Sequence, residues 1–413
     1  MKGYKNLLIE ELKSEEDKKE DLFSINAAID TYKTGIAPLD YALGYTVKVY
    51  DEDDKVTDEY NALGISGGCN VMWIGKSSTA KTSTALFAAA NIVRPFENGT
   101  ILHFDLEQAM NISRARAMTK FSMSEMKGGK YVLRQSDTSV EKIKRTLIKL
   151  YKKKKDNPDK YMYNTGKKNE FGEDIIVYEP TVVLIDSIPS LSVELNDNDK
   201  KDLKKIEEIS SQTDRMRLTG EIGRFYTDLL PYIKLVNIII ISINHIKVNP
   251  QMGIVKSPAE LLYLKQDEAL PGGKAPVYLS HILLKSVAIG SAKYNEEDDG
   301  FDGFGIAVQI IKSRSNQAGQ SVNLVYDKVR GIDPVRTCIN YAKEIGMIGG
   351  NRNATYFINE KDKKFPMRTV NEYFREHKEM YKIMYDHILP SLKERLSSVD
   401  EEDLEVVEES MDY

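Results

Sequence analysis

A short loop of small and polar residues constrains the fold of this chain more than any other feature of its sequence. The loop follows an apolar run at residues 71–74, precedes an alanine-rich, helix-like segment at residues 83–90, and reads Gly75-Lys76-Ser77-Ser78-Thr79-Ala80-Lys81-Thr82. A strand, a tight loop and a helix that begins with Lys-Thr direct backbone N–H groups and the positive end of the helix dipole to one point. Because that point can hold a phosphate, the pattern predicts an α/β nucleotide-binding fold.

Individual positions of the loop have individual predicted roles. We expect Lys81 to reach the β- and γ-phosphates of ATP and the Thr82 hydroxyl to bind Mg²⁺. Ala80 departs from the usual G-x-x-x-x-G-K-[ST] pattern, because it stands where the second glycine belongs. If this position has a positive φ, its Cβ costs about 1 kcal/mol. A chance turn rich in Gly, Lys and Ser is the alternative. The other predicted nucleotide contacts in this region are Gly75, Ser78, Thr79, Ala80 and Ser83.

Three further apolar segments end in polar residues. They span residues 100–107, 181–187 and 236–245. Their β-branched composition is typical of buried parallel strands. The carboxyl ends of such strands meet at one edge of a sheet, where the ligands of open α/β sheets bind. We therefore predict that the last residues of these segments form one site with the loop.

Each polar residue at these strand ends has a predicted role. Asp186 would hold Mg²⁺ opposite Thr82. Glu107 would lie within reach of the water that attacks the γ-phosphate, and His245 would sense that phosphate. Taken singly, Asp105 and Asp186 can also be helix N-caps, and His245 can be a surface histidine. Their occurrence together, in this order, favours the site.

The order of these segments resembles that of the RecA family of recombinases, and within it most closely the phage UvsX branch. That branch also lacks the glycine before the loop lysine and has Asn-His where bacterial RecA has Asn-Gln, as at Asn244-His245 here. The resemblance covers the chain from about residue 34 to about residue 348. Besides the loop, the matching segments are 34–44, 105–107, 184–187, 244–245, 271–273, 311–315, 331–334 and 344–348.

This resemblance implies a RecA-like P-loop ATPase core with a mostly parallel central sheet, an N-terminal helical arm and a small C-terminal cap. It also implies a helical filament in which ATP lies between neighbouring subunits. Glu107 would position or deprotonate the attacking water, and His245 would report the γ-phosphate to DNA-binding loops.

Lys312 and Arg314 match the paired cations that the family lends to the phosphates of the neighbouring subunit. There they would act as an arginine finger in trans. Residues i and i+2 share one face of a strand, so both can address one ligand. Solvated charges at an exposed strand end are the alternative. Arg114 occupies the place of a stacking tyrosine in the family, and its guanidinium can stack on adenine.

Two stretches are candidates for DNA contact. The first runs from residue 194 to about residue 220 and the second spans residues 246–276, where the family has its two DNA loops. Such loops hold single-stranded DNA by phosphate neutralisation and backbone amides, so salt should weaken the binding. Solvated helix faces are the alternative. The predicted DNA-binding residues are Arg215, Arg217, Lys247, Lys256, Gly272, Gly273 and Lys274.

The chain has four predicted parts and two polar insertions. In the family the N-terminal arm packs on the next subunit, although its apolar stripe can equally dock on its own core. The cap should contain a helix pair between residues 370 and 396 and contact duplex DNA or the next subunit. The insertions span residues 45–68, where we expect a hairpin, and 152–180. The four parts are an oligomerisation arm at 1–30, the ATPase core at 31–348, an α/β cap at 349–398 and an acidic, disordered tail at 399–413.

The composition predicts a soluble intracellular protein, and the resemblance to the phage branch implies the cytoplasm of an infected bacterial host or a phage replication compartment within it. The chain has 413 residues and two cysteines without metal-ligand spacing, and it lacks the run of about eighteen apolar residues that spans a membrane. The net charge is −5, but residues 400–413 contain eight acids and no base, which leaves the body mildly basic. Such a tail either competes with DNA phosphates for the basic loops or only solubilises the protein.

Together these features predict an ATP- and Mg²⁺-dependent recombinase that forms filaments on single-stranded DNA and pairs it with double-stranded DNA in phage recombination, repair or replication. A mediator and a single-strand-binding protein are expected partners, and a membrane is not. The alternatives are another DNA-dependent ATPase of this fold that forms helicase-like rings, and a DNA-coating filament with a structural ATP site. Glu107 argues against the second, because binding alone needs no base.

Overall fold

The computed structural model describes residues 30–136, 139–194, 212–248, 264–265, 267–289 and 303–397. The predicted arm apart from Asp30, the predicted tail and Lys256 lie outside the described residues.

The described chain contains both strands and helices throughout. The strands are β1 (Thr31–Tyr32), β2 (Tyr45–Tyr50), β3 (Val56–Ala62), β4 (Ile65–Ser66), β5 (Asn70–Gly75), β6 (Thr100–Asp105), β7 (Tyr131–Arg134), β8 (Met162–Lys168), β9 (Asp174–Tyr178), β10 (Thr181–Asp186), β11 (Ile238–His245), β12 (Lys247–Val248), β13 (Glu268–Ala269), β14 (Ile282–Ile289), β15 (Gly303–Lys312), β16 (Ser321–Asp327), β17 (Gly331–Ile332), β18 (Ile348–Asn351) and β19 (Ala354–Phe357). The helices are α1 (Ala37–Leu43), α2 (Lys81–Val93), α3 (Ile112–Thr119), α4 (Met123–Lys127), α5 (Val140–Lys155), α6 (Pro158–Tyr161), α7 (Gln212–Leu235), α8 (Ala275–Tyr278), α9 (Pro334–Glu344), α10 (Val370–Glu376) and α11 (Glu379–Lys393).

One large sheet organises the described residues. Its strand order is β17-β16-β15-β14-β5-β11-β10-β6-β7. The six strands from β14 to β7 are parallel, and β15, β16 and β17 extend one side in antiparallel fashion. The four strands predicted from the apolar segments are confirmed as β5, β6, β10 and β11, which are neighbours. The fold is therefore mixed α/β with a large, mostly parallel central sheet.

Helices cover both faces of this sheet, which explains why its central strands are apolar at nearly every position. Alternate residues of β10 enter different cores. Val182 and Leu184 pack in the core that contains α2, whereas Val183 and Ile185 pack in the core that contains residues of α5 and α7. Sandwiching the strands in this way holds their carboxyl ends in a fixed register.

Both predicted insertions contain an antiparallel hairpin, β2–β3 in the first and β8–β9 in the second. The hairpins contact each other, because the Tyr60 hydroxyl donates to Lys168 O at 2.8 Å. The second hairpin is also tied to Asp30, the residue directly before β1. Its Tyr163 hydroxyl donates to Asp30 Oδ2 at 2.7 Å, and Lys167 Nζ donates to Asp30 Oδ1 at 2.8 Å. The expected hairpin at residues 45–68 is thus confirmed.

A third apolar core joins α1 to the C-terminal helices α9, α10 and α11. The predicted helix pair between residues 370 and 396 is confirmed by α10 and α11. The predicted boundary between core and cap falls inside β18 (Ile348–Asn351). Because α9 precedes that boundary and shares the same apolar core, the two sides pack as one body. None of the described helices is long and apolar enough to cross a bilayer.

Candidate functional site

The predicted site residues of the four strands meet at the carboxyl edge of the sheet. Asp186 lies beside Asp105 in the register of β10 and β6, and His245 lies beside Gly75 in the register of β11 and β5. The four strands therefore end at the same level. This edge is where ligands of open α/β sheets bind.

The loop between β5 and α2 has a left-handed backbone at two residues that are not glycine. Ala80 has φ 53° and ψ 25°, and Ser78 has φ 61°. Ala80 thus adopts the conformation for which glycine is preferred, and its Cβ makes this conformation cost about 1 kcal/mol more than it would for glycine. Thr79 Oγ1 and Lys81 Nζ both donate to Lys76 O, at 2.9 and 2.7 Å, which stabilises the curvature of the loop.

Thr82 and Asp186 form a pair of oxygen ligands beside this loop. Thr82 Oγ1 donates a 2.7 Å hydrogen bond to Asp186 Oδ2. Burial raises the pKa of Asp186 to about 6, although the Thr82 hydrogen bond opposes the rise and Glu107 adds to it. A hydroxyl and a poorly compensated carboxylate fit Mg²⁺, which binds few protein groups and completes its shell with phosphate oxygens and water. The predicted metal ligands are therefore adjacent and chemically suitable.

Glu107 lies two residues beyond the end of β6, between two hydrogen-bond partners. Ser187 Oγ donates to Glu107 Oε1 at 2.6 Å, and His245 Nε2 lies 3.1 Å from the same oxygen. Burial raises the pKa of Glu107, but the contacts with Ser187, His245 and Lys81 together outweigh burial, so the pKa lies below its usual range. The side chain is 41% exposed. An ionised, accessible carboxylate can accept a proton from water.

Lys81 shares this environment. Burial lowers the pKa of Lys81, and the neighbouring carboxylates of Asp186 and Glu107 oppose that fall. One ammonium group thus lies near two carboxylates beside the loop. A phosphate brought to this point would meet the Lys81 charge and the N-terminus of α2 together.

Ser187 is a site residue that the sequence analysis missed. Its only signal is a hydroxyl directly after the strand-ending Asp186, which is too common to single out. The Asp105 carboxylate accepts from Met110 N at 2.8 Å and from Gln135 Nε2 at 2.7 Å. Asp105 therefore stabilises the turn that carries Glu107 but is not a helix N-cap, because the next helix, α3, has Asn111 as its N-cap. Asp186 bonds to Thr82.

Asn244 connects the site to the second candidate DNA stretch. Its Oδ1 accepts from His245 N at 2.8 Å, and its Nδ2 donates to Pro271 O at 2.9 Å. The side chain is fully buried. Asn244 therefore links the backbone of His245 to the chain at Pro271.

The two glycines after Pro271 allow a close approach to neighbouring elements. Gly272 and Gly273 have φ of 92° and 81°. A Cβ on Gly272 would lie 2.7 Å from Ile188 Cγ2, and one on Gly273 would lie 2.5 Å from Thr219 Cγ2. Thr219 belongs to α7, so this turn brings the two candidate DNA stretches into contact.

Among the predicted DNA-binding residues, those of the first stretch lie on a helix. From residue 212 onward that stretch is α7, which contains Arg215 and the exposed Arg217. The expectation of a loop is therefore wrong for residues 212–220. Lys247 is exposed on β12, and Lys274 is exposed directly before α8.

A buried ion pair fastens the second stretch to the sheet. Lys285 Nζ lies 2.6 Å from Glu268 Oε2, and the two side chains are 7% and 6% exposed. Lys285 is on β14, beside Ile74 of β5. Glu268 is on β13, which pairs with β12. β12 begins at Lys247, two residues after His245. The pair thus anchors the base of the segment between β12 and β13.

Lys312 and Arg314 lie away from the site. Lys312 pairs with Leu283 near the start of β14, at the amino edge of the parallel strands. Because β5 has six residues, the two edges are about 20 Å apart. β15 ends at Lys312, so the prediction that both cations lie on one strand face is wrong for Arg314. Any contact of these cations with phosphate at the carboxyl edge requires a second subunit.

Two other predicted nucleotide contacts have different surroundings. Arg114 is exposed in the first turn of α3, where its N donates to Asn111 Oδ1 at 2.9 Å. Ser83 is buried, and its Oγ lies 3.4 Å from the Tyr326 hydroxyl. The Ser83 side chain therefore faces the core, which leaves its backbone N–H as the group for a phosphate.

Comparison of the sequence with models of known protein families gives no match, and comparison with curated protein sequences gives none either. The functional assignment therefore depends on the geometry of the site.

Proposed function

We propose that this chain is a RecA-like ATP-dependent recombinase that assembles on single-stranded DNA and promotes pairing and strand exchange with a homologous duplex. The observation that carries the proposal is the grouping of Glu107, Ser187 and His245 beside the Thr82–Asp186 pair. ATP hydrolysis needs a metal-nucleotide site and a group that orients or deprotonates water. This edge of the sheet combines both.

In the proposed reaction the protein mainly positions groups and stabilises charge. Bound Mg²⁺, held by Thr82 and Asp186, would neutralise charge on the β- and γ-phosphates. Lys81 and the loop N–H groups would bind those phosphates. Glu107 would accept a proton from the attacking water while Ser187 Oγ and His245 Nε2 hold its carboxylate in place.

We propose that the route from the nucleotide to DNA runs through His245. A γ-phosphate near Glu107 competes for the His245 ring, which is next to Asn244 in the chain. Asn244 is bonded to Pro271, and the glycine turn after Pro271 contacts α7. Both candidate DNA stretches would thus respond to the nucleotide, with Arg215, Arg217, Lys247, Lys256 and Lys274 neutralising DNA phosphates.

The placement of Lys312 and Arg314 at the far edge supports assembly of subunits in one direction. If one subunit stacks with its amino edge on the carboxyl edge of another, its Lys312 and Arg314 lie close to the ATP of that other subunit. A helical filament allows this arrangement to repeat. A mediator and a single-strand-binding protein would act on the DNA before assembly. We place this activity in the cytoplasm of an infected bacterial host.

Two other functions are the alternatives. A helicase-like ATPase would share the four strands but close into rings. A DNA-coating filament would use ATP only as a structural clip, and the ionised Glu107 beside the metal ligands argues against it, because a clip needs no base.

The test is ATP hydrolysis with and without single-stranded DNA at low and high salt, with electron microscopy of the same samples. We expect strong stimulation by DNA that fades with salt, and helical filaments. DNA-independent turnover together with rings or monomers would contradict the proposal and remove both DNA assignments.

A further inference from the structure

A cavity of 390 Å³ lies at the amino edge of the sheet, on the side opposite the candidate site. Its walls include the backbone at Gly67 and Gly68 before β5, His281 before β14, Lys234 near the end of α7, and Arg314. None of the described residues that line it is acidic. The volume is in the lower range of small-ligand sites.

The hydrogen bonding of His281 determines what its ring offers to this cavity. Asn70 N donates to His281 Nδ1 at 3.0 Å. Nδ1 is therefore the acceptor nitrogen, and the neutral ring carries its proton on Nε2. Burial, followed by the charges of Arg314 and Lys312, lowers the pKa of His281 to about 4. At neutral pH the ring thus presents one N–H donor and no charge.

Cations supply the charge that the neutral ring lacks. Arg314 and Lys234 are exposed on the cavity side. Lys312 precedes Arg314 by two residues in the chain, and its Nζ donates to Tyr278 O at 2.7 Å. A guanidinium, an ammonium and a fixed N–H donor, without a carboxylate among the described lining residues, are the kinds of group that bind a multiply charged oxyanion.

We propose that this cavity binds a phosphoryl oxyanion, with Arg314 and Lys234 providing charge and His281 Nε2–H a directed hydrogen bond. The phosphoryl group has two possible sources: inorganic phosphate from solution, and the nucleotide at the carboxyl edge of a second copy of this chain. The second source rests on the proposed function. His281 would then be an additional contact to the neighbour's ATP.

The first experiment measures inorganic phosphate binding to the full chain by NMR of ¹⁵N-labelled histidine side chains. His281→Asn retains an acceptor near Nδ1 for Asn70 N–H but lacks the Nε2 donor, whereas His281→Gln places an amide donor near the Nε2 position. We expect phosphate to shift the His281 signals. We also expect phosphate to bind about tenfold more weakly to His281→Asn, because that variant loses one hydrogen bond. His281→Gln should recover part of the binding. The opposite ranking of the variants would show a purely structural role and overturn the proposal.

The second experiment distinguishes the sources by mixing subunits. Lys81→Ala removes the subunit's own phosphate contact, and His281→Asn damages the cavity, so each alone should turn over ATP slowly. If the cavity serves a neighbour's nucleotide, mixing the two variants should recover turnover. At some interfaces of the mixture, the intact loop of a His281→Asn subunit meets the intact cavity of a Lys81→Ala subunit. A phosphate shift without recovery assigns the site to free phosphate. Absence of both overturns the proposal, and an inactive wild type whose His281 still responds to phosphate would refute only the recombinase function.

Discussion

His245 Nε2 lies 3.1 Å from Glu107 Oε1, although 138 residues separate them in the chain. The contact joins the end of β11 to the turn after β6, across the intervening strand β10. Ser187, at the end of β10, donates to the same oxygen. Groups at the ends of three neighbouring strands therefore hold one carboxylate in place, as our proposal that Glu107 is the general base requires.

Removing the Ser187 hydroxyl should change the pH dependence of ATP hydrolysis. Ser187 and His245 lower the pKa of Glu107 by stabilising its ionised form. In Ser187→Ala the pKa of Glu107 rises, so the acidic limb of the pH–rate profile moves to higher pH. Ser190→Ala, on the turn that follows, is the matched control and should leave the limb in place. An unshifted limb in Ser187→Ala would remove this hydrogen bond from the account.

Replacing Ala80 by glycine should relieve strain in the loop. A left-handed conformation costs a residue with a Cβ about 1–2 kcal/mol, and the greater freedom of glycine in the unfolded chain returns about 0.5–1 kcal/mol of that cost. We therefore expect Ala80→Gly to be equally stable or about 0.5 kcal/mol more stable by urea denaturation. Ala85→Gly in the regular part of α2 should instead destabilise by about 1 kcal/mol or more. Equal destabilisation by both changes would contradict the left-handed conformation of Ala80.

The buried Asp40 should make stability depend on pH. Its Oδ1 accepts from Thr34 N and Thr34 Oγ1 at 2.6 and 2.7 Å, but burial dominates and raises the pKa of Asp40 to about 7. The unfolded chain ionises this group near its usual pKa of about 4, so between about pH 4 and about pH 7 folding stability falls as pH rises.

Asp40→Asn removes this titration and keeps an oxygen acceptor for Thr34 N. From about pH 8 to about pH 5, wild type should gain about 2.5 kcal/mol relative to the variant, because the limiting slope of about 1.4 kcal/mol per pH unit applies only over about two units, between about pH 7 and about pH 5. Urea denaturation of both proteins at the two pH values measures the difference. A difference that does not change with pH would show that Asp40 keeps its usual pKa.

The loop, the four central strands and most site residues could be predicted because their signals are local. A β-branched run ending in an acid specifies both a strand and the edge to which it brings the acid, as for Asp186. Ser187 could not be predicted, because its role depends on where Glu107 lies after folding. The helical start of α7 could not be predicted, because residues 212–217 are polar apart from Met216 and show no apolar periodicity. The position of Arg314 depends on where β15 ends. The Lys285–Glu268 pair joins residues whose burial is a tertiary property.

Breaking that pair should destabilise the protein strongly. Lys285→Met leaves the Glu268 carboxylate buried without its partner, which typically costs about 3–5 kcal/mol. Arg224→Gln removes an exposed ion pair with Glu221 and should cost less than about 1 kcal/mol. Urea denaturation of the two variants compares them directly. Similar, small losses in both would show that the Lys285–Glu268 pair does not anchor the β12–β13 segment.

The most direct test of the central claim compares ATP binding and ATP hydrolysis in Glu107→Gln, with single-stranded DNA present. Glutamine still accepts from Ser187 Oγ but cannot take a proton from water. We expect ATP binding and filament formation to persist while hydrolysis falls at least about 100-fold, as for loss of a general base. Hydrolysis at the wild-type rate would contradict the claim that this carboxylate, held by Ser187 and His245, activates water.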